Sequence, residues 1–166
     1  MSGDGRVIDI HCHRECGSAA ALVQPEAERL GRKPLHFGNE MTKEVNRRQL
    51  EDVRPKMEDV EVRLADMDAM GVDVQVISLS PYQLFHWAGG ELGIRAFQTI
   101  NDDLTDLVAG HPDRFLGLAA IPLQEPSAAI AELRRCSAEL GFRGIEMATH
   151  IAGEELSSPR FEDFWA

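Results

Sequence analysis

The sequence predicts an α/β fold built on a parallel sheet. Four short apolar runs punctuate the chain, stretches of helical periodicity separate them, and glycine or proline stands at most of the junctions. Runs of this kind, rich in Val, Ile and Leu, suit strands buried on both faces, as parallel sheets require. The helices between them then supply the right-handed crossovers that join parallel neighbours.

The first run, Arg6 to Ile10, leads into His11-Cys12-His13. A long mixed stretch, Glu15 to Lys56, follows and breaks the rhythm with Gly31, Pro34, Gly38 and Pro55. Connections of that length inside a compact domain carry function or structure of their own. It reads as an elaborated, part-helical connection at about 15–57, on the same side as the two histidines. Val60, Leu64 and Met67 then share one helix face, and Gly71 is placed for a left-handed C-cap. The second run is Val72 to Leu79, after which Phe97, Ile100, Leu104, Leu107 and Val108 mark a helix ending before Gly110. The third run is Phe115 to Ile121. Pro126 suits the first turn of the next helix, with Ile130, Leu133, Ser137 and Leu140 down one side and Gly141 beyond its end. The fourth run is Phe142 to Ala148, and Phe161 to Ala166 reads as the start of another helix. About four βα units are half of an eight-unit (β/α)8 barrel, whose typical length is about 250 residues. Residues 1–166 therefore read as one partial barrel domain, the N-terminal half, with the C-terminal half absent from this chain; an open four-strand sheet is the alternative.

Composition narrows the function. An apolar share of 43% and a charged share of 27% are those of a soluble globular domain. A formal net charge of −11 argues against nucleic acid, which wants a basic stripe. No stretch approaches the roughly 20 apolar residues that cross a bilayer, so no membrane role is expected. The three cysteines, Cys12, Cys16 and Cys136, are too few and too odd for a disulfide framework, and the chain reads as cytoplasmic and reduced.

The chemistry centres on His11 and His13. Side chains in a strand alternate faces, so the two imidazoles point one way and Cys12 the other. Two imidazoles on one face suit a divalent metal ion, while a chance pair capping a strand is the plainer reading. A compact structural zinc site of His11, Cys12, His13 and Cys16 is opposed by the same alternation. Cys136, on a helix, reads as a packing residue. His111 precedes a strand, at the end away from the strand tips, and reads as structural; His36 has no assignable role.

Several stretches in this order resemble the amidohydrolase-related metal enzymes of the 2-amino-3-carboxymuconate-6-semialdehyde decarboxylase type. They are His11-Cys12-His13, Val62 to Asp68 leading into Gly71-Val72-Asp73-Val74-Gln75, Ser78-Leu79-Ser80-Pro81, Asn101 to Leu104, His111 to Phe115 with Ile121 to Gln124, Glu139 to Ile145, and Thr149-His150. The resemblance implies a distorted TIM barrel with one catalytic divalent ion, zinc before manganese, cobalt or iron, and no organic cofactor. His11 and His13 match the first two metal ligands. The third histidine, the aspartate ligand and the acid/base histidine of that family fall on later strands, so no catalytic residue is expected in this chain. By itself it is expected to hold metal weakly and to be inactive.

The implied activity is non-oxidative decarboxylation of a small unsaturated or aromatic carboxylate. A bound ion lowers the pKa of its water to about 7 or polarises a substrate oxygen. Arg54 matches a carboxylate-binding arginine of the family, and a guanidinium grips a carboxylate with two parallel hydrogen bonds. Without the resemblance, Arg54 is a surface arginine among Glu51, Asp52 and Glu58. Phe85-His86-Trp87 follows the second strand, where Trp87 offers a flat wall for a conjugated substrate or a packing face. His150, after the fourth strand, is a candidate hydrogen-bond donor to substrate or simply a loop histidine. The expected partners are a small carboxylate and, when complete, a second copy in a homodimer. Two other readings stand beside this one: a metal-dependent hydrolase of an ester, lactone or amide on the same scaffold, and a non-catalytic half-barrel that associates with itself or a partner.

Overall fold

The computed structural model describes residues 5–32 and 39–166. Its elements run β1 (Ile8–Arg14), α1 (Gly17–Arg29), α2 (Glu40–Glu58), α3 (Val60–Met70), β2 (Val74–Leu79), α4 (Gly90–Gly110), β3 (Phe115–Gly117), β4 (Ala119–Ala120), α5 (Pro126–Ala138), β5 (Ile145–Glu146), β6 (His150–Ile151), β7 (Glu154–Glu155) and α6 (Glu162–Trp165). β1, β2 and β3 pair in that order and in parallel, and β4 pairs in parallel with β5. β3 and β4 are one strand broken at Leu118. The Leu118 N–H still donates to the Ile77 carbonyl on β2, while the Ala119 N–H donates to Gly144 beside β5. Strands thus stand side by side in chain order with helices between them, which is the winding of a barrel rather than of a doubly wound sheet.

Local chemistry explains the boundaries. Gly71 ends α3 in the left-handed region at φ 69°, a conformation that glycine adopts without steric cost. Asp59 caps the other end, its carboxylate accepting from the Glu61 and Val62 N–H groups. Asn39 opens α2 in the same way, accepting from the Thr42 N–H. Pro126 takes the first turn of α5. α1 has no side-chain cap of its own. Gln83 replaces it from another segment: its Oε1 accepts from the Cys16 N–H at 2.8 Å and its Nε2 donates to the Cys16 carbonyl at 2.9 Å.

Several expectations need correction. The stretch expected as a part-helical connection at 15–57 holds α1 and α2 over most of its described length. The fourth strand is two residues long rather than seven; Phe142, at the start of that run, lays its ring over Gly117 instead of pairing, at a position where a Cβ would lie 2.4 Å from the ring. Val7, Ile8 and Ile10 are not buried on both faces; Ile10 is 74% exposed, since among the described residues β1 has a strand on one edge only. The buried face of α5 is Ala129, Glu132 and Cys136, not the line through Ser137, which is exposed. His36 lies outside the described residues.

The α5 error has a physical source. Glu132 is 2% exposed and is drawn inward by Asn101, whose Nδ2 donates to it at 2.7 Å and to the Ala120 carbonyl at 2.9 Å. Asn101 Oδ1 accepts from the Ala120 N–H, and Arg135 covers the carboxylate with two further bonds at 2.7 and 2.9 Å. One amide thereby satisfies both backbone groups of a strand residue and half of a buried acid. The expected result of Asn101→Ala is a loss of about 3 kcal/mol of stability in urea unfolding, because three buried polar groups each lose a partner; a loss under about 1 kcal/mol would contradict the role.

Candidate metal centre and the adjoining cavity

β1 carries a one-residue register shift against β2. Ile8 and Asp9 face Val74 and Gln75, whereas Cys12, His13 and Arg14 face Ile77, Ser78 and Leu79. This bulge re-aims the strand's carboxyl end. His11 and His13 emerge together, ring centroids 4.8 Å apart and edge to face, while Cys12 is buried between them in sequence.

His13 is held from three sides. Its Nδ1 lies 3.0 Å from the Leu79 carbonyl and 3.2 Å from Ser78 Oγ. A carbonyl only accepts, so Nδ1 carries the hydrogen and Nε2 keeps its lone pair, the tautomer that a metal-ligating imidazole needs. From behind, buried Arg63 donates Nη2 to the His13 carbonyl at 2.5 Å and Nη1 to Gln75 Oε1 at 2.9 Å. Arg14, one residue on, forms a fork onto Asp103 of α4 at 2.7 and 3.3 Å. The histidine pair therefore stands on a strand end braced by α3, β2 and α4.

The pair fits a divalent ion as part of a ligand set. Among the described residues no group of three or more His, Cys, Asp or Glu side chains is arranged to hold a metal. The four-residue zinc site with Cys12 and Cys16 does not assemble: both cysteines are buried, and no such cluster forms among the described residues. Burial, with Asp9 beside it, pushes the Cys12 thiol up to about 12, so it stays protonated. Cys16 Sγ sits against Ser18 Oγ and the Thr99 carbonyl.

A cavity of about 1180 Å³ opens beside the strand mouths, and Arg54, Trp87 and His150 all line it. α1 and α2 form one wall; the segment from Pro81 to Trp87 after β2 forms another, and Ala148, His150 and Ala152 a third. Arg54 is largely exposed and only loosely engaged, its Nε 3.9 Å from Glu58 Oε1. Trp87 lies under Arg32, whose guanidinium carbon is 4.6 Å from the ring centroid. His150 is exposed on β6. His11 and His13 are not among the lining residues, although Glu15, two positions beyond His13, is.

The middle of Phe85-His86-Trp87 turns away from this wall. His86 is 9% exposed, stacks on Phe97 at 4.9 Å and shares a 2.9 Å hydrogen bond with Gln124. Burial holds its pKa below the usual imidazole range, against the upward pull of Gln124. His111 caps the end of α4 through its backbone N–H and meets Phe115 edge to face, a structural placement. Residues passed over in the sequence also matter: Arg63 and Ser78, which hold His13, and Glu146 on β5, whose Oε2 lies 3.8 Å from His13 Nδ1. Arg63 sits in a helix that reads as ordinary amphipathic surface, and nothing in its spacing marks it.

Parallel strands in chain order with helices between them define this chain as part of a (β/α)-barrel, with the imidazole pair at the first strand's carboxyl end. The chain belongs to the amidohydrolase family, whose model matches residues 8–166. It is 38% identical over 88 residues to the 2-amino-3-carboxymuconate-6-semialdehyde decarboxylase of Dictyostelium discoideum, a match covering 53% of this chain and 24% of that protein. It is 37% identical over 108 residues to the gamma-resorcylate decarboxylase of Rhodococcus jostii, covering 60% of this chain and 33% of that one. In fold it is similar, at TM-score 0.78 and 22% identity, to the 5-carboxyvanillate decarboxylase of Novosphingobium aromaticivorans, solved with manganese and 4-hydroxy-3-methoxy-5-nitrobenzoic acid; the likeness covers 99% of this chain and 48% of that one. The chain thus spans about half the length of that solved neighbour. No helix among the described residues is long and apolar enough to cross a membrane.

Two expected outcomes check this arrangement. All three cysteines are buried, so a thiol reagent at pH 7.5 should label none quickly in the native protein and all three after unfolding; a fast native thiol would break the assignment. His86 binds its proton less readily folded than unfolded, so its contribution to stability is whole above about pH 6.5 and drains as pH falls below that value. The urea midpoint should fall from pH 7 to pH 5.5, and less steeply in His86→Asn; equal slopes would rule His86 out as the source.

Proposed function

We propose that this chain forms the first-strand metal site and the carboxylate-binding wall of a metal-dependent, non-oxidative decarboxylase of small aromatic or unsaturated carboxylates. The observation that most supports the reading is that Arg54, Trp87 and His150, far apart in sequence, line one cavity beside the braced imidazole pair. The curated relatives are decarboxylases of carboxylates of this kind by name.

In this reading His11 and His13 hold a divalent ion, His13 through Nε2, because Nδ1 is committed to the Leu79 carbonyl. The ion supplies Lewis acidity toward a substrate oxygen. Two imidazoles do not by themselves separate zinc from its first-row neighbours, so manganese, the ion bound in the solved 5-carboxyvanillate decarboxylase, is tested beside zinc. Arg54 grips the substrate carboxylate; its loose contact with Glu58 leaves its donors free to turn. Trp87 presents a flat face to the ring, with Arg32 on it as a second cation. His150 donates a hydrogen bond to a substrate oxygen. The carbon–carbon bond to the carboxylate breaks, CO2 leaves, and the electron pair left on that carbon takes a proton from water, leaving hydroxide, so no oxidant is required.

The test uses the whole protein loaded with manganese or zinc, assayed for CO2 release from hydroxylated benzoates and for hydrolysis of esters and lactones. His13→Ala should lose bound metal and at least about 100-fold in turnover. Arg54→Met should raise KM about 10- to 100-fold with kcat less affected, the value of one charged hydrogen-bonded contact. Ester or lactone hydrolysis without CO2 release would replace the lyase by a hydrolase, and unchanged activity in His13→Ala would remove the metal site altogether.

A further inference from the structure

Glu146 occupies the second position of β5, pairs with Ala120 of β4 and faces His13 across the strand tips. Its Oε2 is buried and has no hydrogen-bond partner. The His13 Nδ1 at 3.8 Å is beyond hydrogen-bond reach, and its hydrogen is already directed at the Leu79 carbonyl. Leaving a carboxylate oxygen out of water without a donor is destabilising. Elsewhere this chain answers its enclosed acids: Glu132 has Asn101 and Arg135, Asp103 has Arg14, and Asp66 has Lys56. Among the described residues the other buried side-chain atoms without partners are Arg63 Nε and Ser80 Oγ, and neither carries negative charge.

The imidazole pair has the opposite deficit. Neutral histidines bring lone pairs to a divalent ion and no charge to offset it. Asp9 is the other acid close to the pair, but its Oδ1 already accepts from the His11 N–H, and neither of its oxygens is buried without a partner. We propose that Glu146 is the charge partner of the divalent-cation site, a positioning residue whose unanswered carboxylate lowers the free energy of an ion held at His11 and His13. It acts from outside the ligand set: its Oε2 lies on the Nδ1 side of His13, the nitrogen committed to the Leu79 carbonyl. The inference rests on the metal-dependent reading above and adds a residue to it. It also explains why a buried acid without a donor persists: the ion answers it.

The test measures metal affinity, not turnover. The whole protein is stripped with a chelator and titrated with Mn²⁺, free ion being followed by its electron paramagnetic resonance signal. Glu146→Gln keeps the shape and removes the charge; Glu155→Gln, on exposed β7, controls for net charge. Glu146→Gln should weaken Mn²⁺ binding about 10- to 100-fold, while Glu155→Gln stays within about twofold of the unaltered protein. In the metal-free protein Glu146→Gln should unfold at the same temperature or higher, because an unpaired charge has been removed. Mn²⁺ affinity unchanged in Glu146→Gln but lost in His13→Ala overturns the inference and leaves the metal site standing. A metal-free Glu146→Gln protein that melts several degrees lower also overturns it, since the residue would then be structural. An unaltered protein that binds no Mn²⁺ overturns both readings.

Discussion

The parallel ladder between β1 and β2 sets where everything else in this molecule goes. It carries a single extra residue between Asp9 and Cys12, and that residue decides which side chains the strand end presents. Beyond the bulge, His13 faces Ser78 and can reach the Leu79 carbonyl, so the imidazole is fixed by backbone that the ladder itself positions. Arg63 then reads the same ladder from the α3 side, with one nitrogen on the His13 carbonyl and one on Gln75. Burial draws the guanidinium down from its ordinary value, and its hydrogen bonds to backbone and amide hold it in place.

Much of the scaffold was legible because each boundary rests on one residue's conformational preference. Gly71 suits a left-handed cap, Pro126 a first helical turn, and the α4 stripe of Phe97, Ile100, Leu104 and Leu107 declares its buried face by period alone. Illegibility had equally local causes. α2 buries no residue, so no apolar period announces it, and a helix stabilised by ion pairs such as Arg47 with Glu44 and Glu51 reads as a polar connection. The buried face of α5 is hidden in the sequence because a glutamate sits where a leucine is expected, and Asn101, thirty-one residues earlier, together with Arg135 makes that position tolerable.

The candidate site divides the same way. His11 and His13 show themselves by a spacing of two on a strand, which is a property of the sequence. What aims His13 is not: Ser78 and Arg63 reach it through pairing across β1, α3 and β2, and such proximity has no signature along the chain. Arg54, Trp87 and His150 entered through resemblance to a family, and the fold places all three on one cavity although they come from α2, the segment after β2 and β6. Cys12 shows the reverse case, a residue suggestive in sequence that burial makes chemically quiet.

Polar groups in this domain are closed on one side and left open on the other. Beneath the strand tips, Asn101, Glu132, Arg135 and Asp102 form a network in which each charge has its opposite, so that region adds rigidity and recruits nothing. At the tips, Arg54 is loosely tied, Arg32 rests on an aromatic face, and Glu146 holds an oxygen without a donor. Of these only the Glu146 oxygen is enclosed, and leaving it without a donor lowers stability, which the packing below has to offset. The closed network under β4 and β5 and the open one above them share a strand pair only two residues long. A short, firmly held pair of strands lets Glu146 remain unanswered at the tip while the buried acid below stays fully paired.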